Sequence, residues 1–206
     1  MQYTKQDIQA MDRVTRLKII NSVTGIKPGN LIGTLSKDGI TNLAVFSSVV
    51  HLGSDPALLG FISRPRTDEV GHTYSNIMDT GSYTINHIHP SFIENAHYTS
   101  AKIPSTESEF ERCNLTEEYI AAIKAPFVKE STFKMSLRFI QAVEIPLNGT
   151  VLMIGEIDHL ILPENISGDI DLEHTKSIGI SGLNSYYELK KIGQYPYARM
   201  TNLPKL

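Results

Sequence analysis

Two local turn signals limit this chain to a small set of folds. Asp38-Gly39 stands between two short apolar runs, and Asn148-Gly149 stands between two longer ones. Such pairs favour the tight turns whose twist matches that of two antiparallel strands. We therefore predict a hairpin with strands at residues 31–36 and 40–46, and a second hairpin built from FKMSLRFIQAVEI and TVLMIGEIDHLIL.

The remaining periodic segments predict shorter elements. DPALLGFISRP and SYTINHI have the composition of strands and are bounded by proline or glycine. Helices are predicted for four segments: an amphipathic, packed helix at residues 4–20, a helix at 67–79 between a Thr67 cap and Gly81, the short segment PSFIENAHYTS, and most of residues 105–122.

These elements predict a fold that is mainly β with α insertions. Five or six antiparallel strands with short helices between them favour a β-barrel or sandwich, since no regular strand-helix alternation indicates a parallel sheet. The dinucleotide motif G-x-G-x-x-G and the P-loop are both missing from the sequence. We expect residues 1–206 to form one domain, with an N-terminal helix and lead-in at 1–28, the core at 29–162 and an irregular tail of loops and one short helix at 163–206.

The net charge and the cysteine count limit the classes of binding partner and the cellular location that we expect. The formal net charge is −3, from 19 Lys and Arg against 22 Asp and Glu, which argues against a nucleic-acid partner. The single cysteine, Cys113, cannot form an intrachain disulfide and suits a cytoplasmic location. We find no secretory signal pattern and no run of about 18 apolar residues, so we expect no membrane partner.

The histidines and serines give little support for a metal centre or a hydrolase. No G-x-S-x-G motif is present, which disfavours a nucleophilic serine. His87 and His89 share one face of a predicted strand, and His97 or Glu94 offers a third ligand. Because this spacing is loose, hydrogen-bonded histidines at a strand end are the favoured alternative, and we predict no metal site.

Ser63 and Arg64 are candidates for an anion site. They end a predicted strand and precede a predicted helix start. Arginine pairs bidentately with phosphate, and the amides and hydroxyls of a helix start add neutral donors. The alternative is that Arg64 is an ordinary surface cation.

Several blocks in a fixed order resemble a known family. NLAVFSSV is followed by Asp55-Pro56, by a strand that ends in SRP, by HTYSNI, and by a strand GSYTIN. AHYTSAKIPSTESEFERCNLT, APFVKES and NGTVLMIGEI follow in the same order. This pattern resembles the flavin reductase-like family with the FMN-binding split barrel, which includes the flavoredoxins and the reductase components of two-component monooxygenases. The resemblance covers residues 29–162.

The resemblance implies a fold, a cofactor and a reaction. It implies a split β-barrel of antiparallel strands that forms a homodimer with FMN at the subunit interface. It also implies hydride transfer from NADH or NADPH, as a transient donor, to flavin N5, with a monooxygenase or another electron acceptor as a partner. Two alternatives stay open: a flavoredoxin-like FMN electron carrier without efficient NAD(P)H oxidation, and a non-flavin split-barrel module for ligand binding or interaction.

The same resemblance implies the cofactor-binding residues. Main-chain amides and hydroxyls along the pyrimidine edge of the flavin come from Asn42, Leu43, Ala44, Phe46, Ser47 and Ser48. Contacts to the phosphate and ribityl chain come from Ser63, Arg64 and Thr67, with His72 or Thr73 at the next helix start. The loop that closes over the phosphate, from the same or the neighbouring subunit, contains Thr99, Ser100 and Lys102, and Tyr186 covers the ring. No catalytic side chain is predicted, since the flavin carries the chemistry.

Ordinary structural roles remain alternatives for several of these residues. Phe46 has the composition of a core residue, Ser47 and Ser48 suit a turn, and Lys102 suits a solvated surface. Asp68 and Glu69 depart from the expected pattern, because they add negative charge beside the predicted phosphate site.

Overall fold

Strands dominate the described part of the chain. The structure is a computed structural model that describes residues 1–65, 71–120, 122–164, 166 and 168–200. Its helices are α1 Lys5–Ala10, α2 Arg13–Ser22, α3 His72–Thr80, α4 Ile93–Tyr98 and α5 Glu109–Arg112. Its strands are β1 Lys27–Pro28, β2 Asn30–Leu35, β3 Thr41–Phe46, β4 Val50–Ser54, β5 Ala57–Ser63, β6 Ser82–His87, β7 Glu117–Glu118, β8 Phe127–Val128, β9 Lys134–Ile145, β10 Thr150–Ile161, β11 Ile178–Ser181 and β12 Ser185–Glu188.

Seven of these strands form one antiparallel sheet in the order β3-β2-β6-β9-β10-β5-β4. Both predicted hairpins are confirmed, as β2 with β3 and β9 with β10. The sheet ends in β3 on one side and β4 on the other, although these strands are consecutive in the chain. The short connection between them therefore joins the two edges of the sheet. The prediction of a mainly β fold with α insertions is confirmed.

The two faces of the sheet bury different apolar clusters. Because side chains alternate along a strand, neighbouring residues of β2 enter different clusters: Leu31 packs on the outer side and Ile32 packs inside the barrel. The outer cluster holds Leu31, Leu43, Ile88, Phe92, Ala96, Phe110, Leu115, Val128, Ile178 and Ile180. The inner cluster holds Ile32, Phe61, Ile77, Tyr83, Ile85, Phe133, Met135, Leu137, Val151 and Met153.

Gly155 of β10 makes room for the largest inner side chain. A Cβ atom at this position would lie 2.3 Å from the hydroxyl oxygen of Tyr83, which is fully buried. The ladder between β9 and β10 also shifts its register between Ile154 and Gly155. Because Gly155 has no side chain, the backbone of β10 can approach the Tyr83 ring closely.

The N-terminal segment differs from its prediction. The single helix expected at residues 4–20 is two helices, because Asp12 accepts the N–H groups of Val14 and Thr15 and caps a new helix. The expectation that this segment packs is wrong, since neither α1 nor α2 contains a buried residue. Among the helices that the structure describes, none is long and apolar enough to cross a membrane.

Helix α3 begins later than predicted. Its first residue is His72, and Gly71 precedes it with a φ of 107°. The N-cap position of α3 is Gly71, and the predicted cap Thr67 lies in residues 66–70, which are outside the described residues. The predicted end is confirmed: Gly81 has a φ of 69° and donates its N–H to the Ile77 carbonyl.

Two further predictions are wrong. Of residues 105–122, only Glu109–Arg112 is an α-helix among the described positions, because β7 pairs with β8 and Glu118 forms an ion pair with the buried Lys134. The tail was expected to hold loops and one short helix. It instead contains the β11–β12 hairpin, which pairs with β1 and buries Ile178 and Ile180.

Candidate functional site

The connection that follows β3 is fixed against the end of β5. The Oγ atom of Ser48 accepts the N–H of Ile62 at 3.1 Å and donates to the carbonyl of the same residue at 3.3 Å. Ser63 and Arg64 follow Ile62 directly in the chain. Two groups of predicted site residues, one around Ser48 and one at the end of β5, are therefore neighbours at one end of the barrel.

Phe46 supplies an apolar wall beside this junction. Its ring is half-buried and packs edge-on against Phe61 at 5.0 Å between centroids. Phe61 packs in turn against Tyr83 at 5.6 Å. The side chain of Phe46 thus belongs to the edge of the inner core, which matches the structural alternative considered from the sequence.

The first half of β3 uses its polar groups internally. The Asn42 side chain donates to the hydroxyl of Thr73 in α3 at 3.2 Å. The main-chain N–H of Leu43 donates to the carboxylate of Glu109 at 3.0 Å. Asn42 and Leu43 are both buried. In this structure, these contacts position β3 against α3 and α5.

Glu109 is a functional-site neighbour that sequence reasoning missed. The sequence places it only within the helix predicted for residues 105–122, whereas its carboxylate is buried and accepts the Leu43 N–H. Burial raises the pKa of Glu109, and the Leu43 N–H opposes that effect. The contact spans 66 residues of sequence, so no local pattern indicates it.

Arg64 stands exposed at the end of β5. No carboxylate in the described ranges forms an ion pair with it. Burial lowers the pKa of Lys27, and the charge of Arg64 lowers it further. The two positive charges therefore repel each other. Ser63 is buried, and its hydroxyl donates to the carbonyl of Arg64 at 3.4 Å.

The predicted loop at residues 99–102 continues the last turn of α4. Thr99 is buried, and its hydroxyl donates to the Ala96 carbonyl at 2.7 Å. Ser100 donates to the His97 carbonyl through its hydroxyl at 2.7 Å and through its N–H at 3.0 Å. Both hydroxyls therefore complete the end of a helix, while Lys102 is exposed.

Tyr186 contacts α4. Its hydroxyl lies 2.9 Å from Nδ1 of His97, and its half-buried ring packs against the outer cluster. Burial raises the pKa of Tyr186 above its usual value. The two side chains line a cleft of about 510 Å³ together with Pro90, Ser91, Ile93, Glu94, Asn95, Tyr98 and Asn184.

A larger cleft, of about 800 Å³, lies near the start of β3. Two hydroxyl groups in this cleft bind a carboxylate that also lines it: Thr41 and Tyr119 both donate to Glu117, at 2.6 and 2.8 Å. Two more carboxylates, those of Glu107 and Glu111, also line it. This cleft is therefore poorly suited to a phosphate.

The histidines considered as metal ligands have other environments. His87 stacks on Phe133 at 3.8 Å between ring centroids, and burial lowers its pKa to about 4. His89 contacts Ser91 through Nδ1 at 2.8 Å. Among the residues placed by the structure, no group of three His, Cys, Asp or Glu side chains has the arrangement of a metal site.

A comparison with protein families identifies this barrel. The sequence model of the family described as "Flavin reductase like domain" matches residues 26–177. The chain belongs to the flavin reductase-like family. It is therefore related to oxidoreductases that work with flavins. The match to this family extends beyond the predicted core at both ends and includes residues of the tail up to Ser177.

Solved structures give this flavin reductase-like chain the same fold. A split barrel domain protein of Shewanella frigidimarina NCIMB 400 is 45% identical and has a TM-score of 0.92, covering 96% of this chain and 100% of that chain. Nitrilotriacetate monooxygenase component B from Bacillus cereus is 20% identical, with a TM-score of 0.83 and coverage of 95% and 98%. Flavoredoxin of Desulfovibrio vulgaris (Miyazaki F) is 18% identical, with a TM-score of 0.74 and coverage of 96% and 98%. The prediction of a split β-barrel is confirmed.

Proposed function

We propose that this chain is an FMN-dependent flavin reductase that passes a hydride from NADH or NADPH to flavin N5. The observation that carries the proposal is the bond from Ser48 to both main-chain groups of Ile62. It brings the predicted ring-binding connection beside Arg64, the predicted phosphate ligand. Membership in the flavin reductase-like family supports the same cofactor.

The residues at this junction suit a phosphorylated planar ring. A flavin needs an apolar surface with hydrogen-bond donors at its edge, and its phosphate needs a cation or several donors. The half-buried Phe46 and the connection through Ser47 and Ser48 would serve the ring. Arg64, with the positive charge of Lys27 near it, would serve the phosphate.

The flavin supplies the hydride-accepting atom when it is bound. The chain then has to orient the two rings and keep water away, without a nucleophile or a general base. Ser48 orients the connection after β3 by holding it to β5. Glu109 holds the preceding part of β3 through the Leu43 amide.

We also propose that the site is completed by a second copy of the chain. The edge strand β4 follows the Ser48 connection directly, and its residues Val50 and Leu52 are 47% and 43% exposed. An exposed apolar edge strand is a surface that proteins usually cover. A homodimer through this region would enclose the flavin between subunits.

The electron acceptor is proposed to be another protein or free flavin. Nitrilotriacetate monooxygenase component B has this fold, which makes a monooxygenase partner a reasonable acceptor to test. A cytoplasmic location would fit a chain with one cysteine, which is buried.

Steady-state consumption of NADH and NADPH with added FMN tests the proposal. Turnover that depends on FMN and falls in an Arg64→Gln variant supports it, with Arg13→Gln on the exposed helix α2 as the control. A yellow protein that oxidises neither nucleotide would indicate a flavoredoxin-like carrier. A colourless protein whose thermal stability does not respond to FMN would indicate a non-flavin module.

A further inference from the structure

Asn30 and His87 face each other on neighbouring strands of the large sheet. They are directly paired in the antiparallel ladder between β2 and β6. Beside them the Ile88 N–H donates to the Gly29 carbonyl at 3.1 Å, so Asn30 and His87 occupy the narrow, non-hydrogen-bonded position of the ladder. Side chains at such a position lie on the same face of the sheet, with their Cβ atoms about 5 Å apart.

This face is the interior of the barrel. Ile32 of β2 and Ile85 of β6 lie two residues along from the pair and belong to the inner cluster. Residues two apart in a strand share a face. Phe46, which pairs with Asn30 from β3, packs against the same cluster. Asn30 and His87 are therefore inside the barrel, and Asn30 is next to Phe46.

Three polar atoms of this pair are buried without a partner. Asn30 is fully buried, and neither its side-chain oxygen nor its side-chain nitrogen has a hydrogen-bond partner in the described structure. The same is true of Nδ1 of His87. A buried polar atom without a hydrogen bond is costly, and most such atoms in proteins have a protein or water partner. The pair therefore needs a ligand that can both donate and accept.

The His87 ring is held in place and is neutral. It stacks on Phe133 at 3.8 Å between ring centroids, with 13° between the ring planes. The Ser131 hydroxyl lies 2.8 and 2.9 Å from the main-chain carbonyls of His87 and Phe133, which fixes the backbone on both sides of the stack. Burial lowers the pKa of His87 to about 4. In a neutral imidazole each ring nitrogen either donates or accepts one hydrogen bond, and water can serve both forms of Nδ1.

From these contacts we infer that Asn30 and His87 bind internal water inside the barrel. A water molecule is small, can donate two hydrogen bonds and accept two, and typically makes about three when it is buried. It can therefore contact the Asn30 amide and Nδ1 of His87 at the same time. The inference does not depend on the flavin.

Tyr83 shows the contrasting case on the same face. Its buried hydroxyl also lacks a partner in the described structure, but the backbone of β10 crowds it. A Cβ atom at Gly155 would lie 2.3 Å from the hydroxyl oxygen. Tyr83 is a single polar atom against a backbone, whereas Asn30 and His87 offer three polar atoms from two facing side chains.

A crystal structure at high resolution tests the inference directly. An ordered water should lie about 2.7–3.2 Å from Nδ1 of His87 and from a side-chain atom of Asn30. A direct hydrogen bond between Asn30 and His87, or two side chains with no water between them, would overturn it.

A double-mutant cycle tests the same inference in solution. Asn30→Leu and His87→Phe each leave the other residue with an incompletely bonded water, so each should lower the melting temperature by about 3–8 °C. The double variant removes all three polar atoms and should recover at least about half of the summed loss. Tyr83→Phe is the control, because it removes a buried, unpartnered hydroxyl outside the pair and should not lower the melting temperature. Single variants without a loss, or strictly additive losses, would contradict a water shared by Asn30 and His87.

Discussion

Ser48 holds both main-chain groups of Ile62 with one hydroxyl, at 3.1 and 3.3 Å. The contact fastens the connection between the edge strands β3 and β4 to β5, the strand that Arg64 follows in the chain. A serine at this point therefore has a structural role as well as its proposed role in the flavin site.

Ser48→Ala should lower both stability and FMN affinity. Two main-chain groups lose their partner, so the free energy of unfolding should fall by about 1–2 kcal/mol. FMN affinity should fall as well, because the connection is no longer held. Urea unfolding and fluorescence titration measure the two effects, and Ser54→Ala on the exposed end of β4 is the matched control. If the variant loses stability but binds FMN as tightly as the wild type does, Ser48 has no role in the flavin site.

Arg64→Gln should affect the phosphate specifically. A charge-assisted hydrogen bond contributes about 2 kcal/mol, so FMN should bind roughly thirtyfold more weakly, with little change for riboflavin. The wild-type affinity for FMN should also fall as salt is added, and the variant should lose most of that dependence. Titrations at two salt concentrations measure both effects. Equal losses for FMN and riboflavin would show that Arg64 does not act on the phosphate.

Glu109 should make stability depend on pH. Burial raises its folded-state pKa above the ordinary value of 4.5, so the folded protein binds this proton more tightly than the unfolded chain does. The contribution of Glu109 to stability is therefore greatest below pH 4.5 and is lost as pH rises through the folded-state pKa. The free energy of unfolding of the wild type should fall relative to Glu109→Gln over that range.

Denaturant unfolding at several pH values tests whether the free energy of unfolding changes with pH in this direction. Glu111→Gln is the control, because Glu111 lies on the same helix and is exposed. A difference between wild type and Glu109→Gln that stays constant with pH, or grows as pH rises, would contradict the buried, proton-retaining carboxylate.

Tyr83 and Gly155 should show coupled effects on stability. The buried Tyr83 hydroxyl has no hydrogen-bond partner in the described structure, so Tyr83→Phe should leave stability unchanged or raise it slightly. Gly155→Ala should lower it by about 1–3 kcal/mol, because the new Cβ meets the Tyr83 ring. In the double variant, part of that loss should be recovered. Strictly additive thermal-unfolding results would rule out the contact.

The parts of the fold that were predictable are those with local turn chemistry. Asp38-Gly39 and Asn148-Gly149 marked two hairpins, and Gly81 marked the end of a helix, because a turn depends on the few residues that form it. The helix predicted for most of residues 105–122 is wrong, since the strand pairing of β7 with β8 overrides helical propensity there.

Long-range pairing explains most of the other differences. The edge strand β4 was missed because Val50–Ser54 lacks alternation, and the β11–β12 hairpin was missed because β11 is held by the distant β1. The family resemblance implies that Ser48 and Arg64 belong to one flavin site, and this stays a prediction. The contacts of Leu43 with Glu109 and of His97 with Tyr186 span 66 and 89 residues and have no local signal.

An anaerobic spectrum of the FMN-loaded protein tests the central claim most directly. We predict one FMN bound per chain, and loss of the oxidised flavin absorption when NADH or NADPH is added. The Arg64→Gln variant should fail to retain the flavin under the same conditions. A wild-type protein that takes up no FMN, or that holds it without reduction by either nucleotide, would contradict the claim that this junction forms a flavin reductase site.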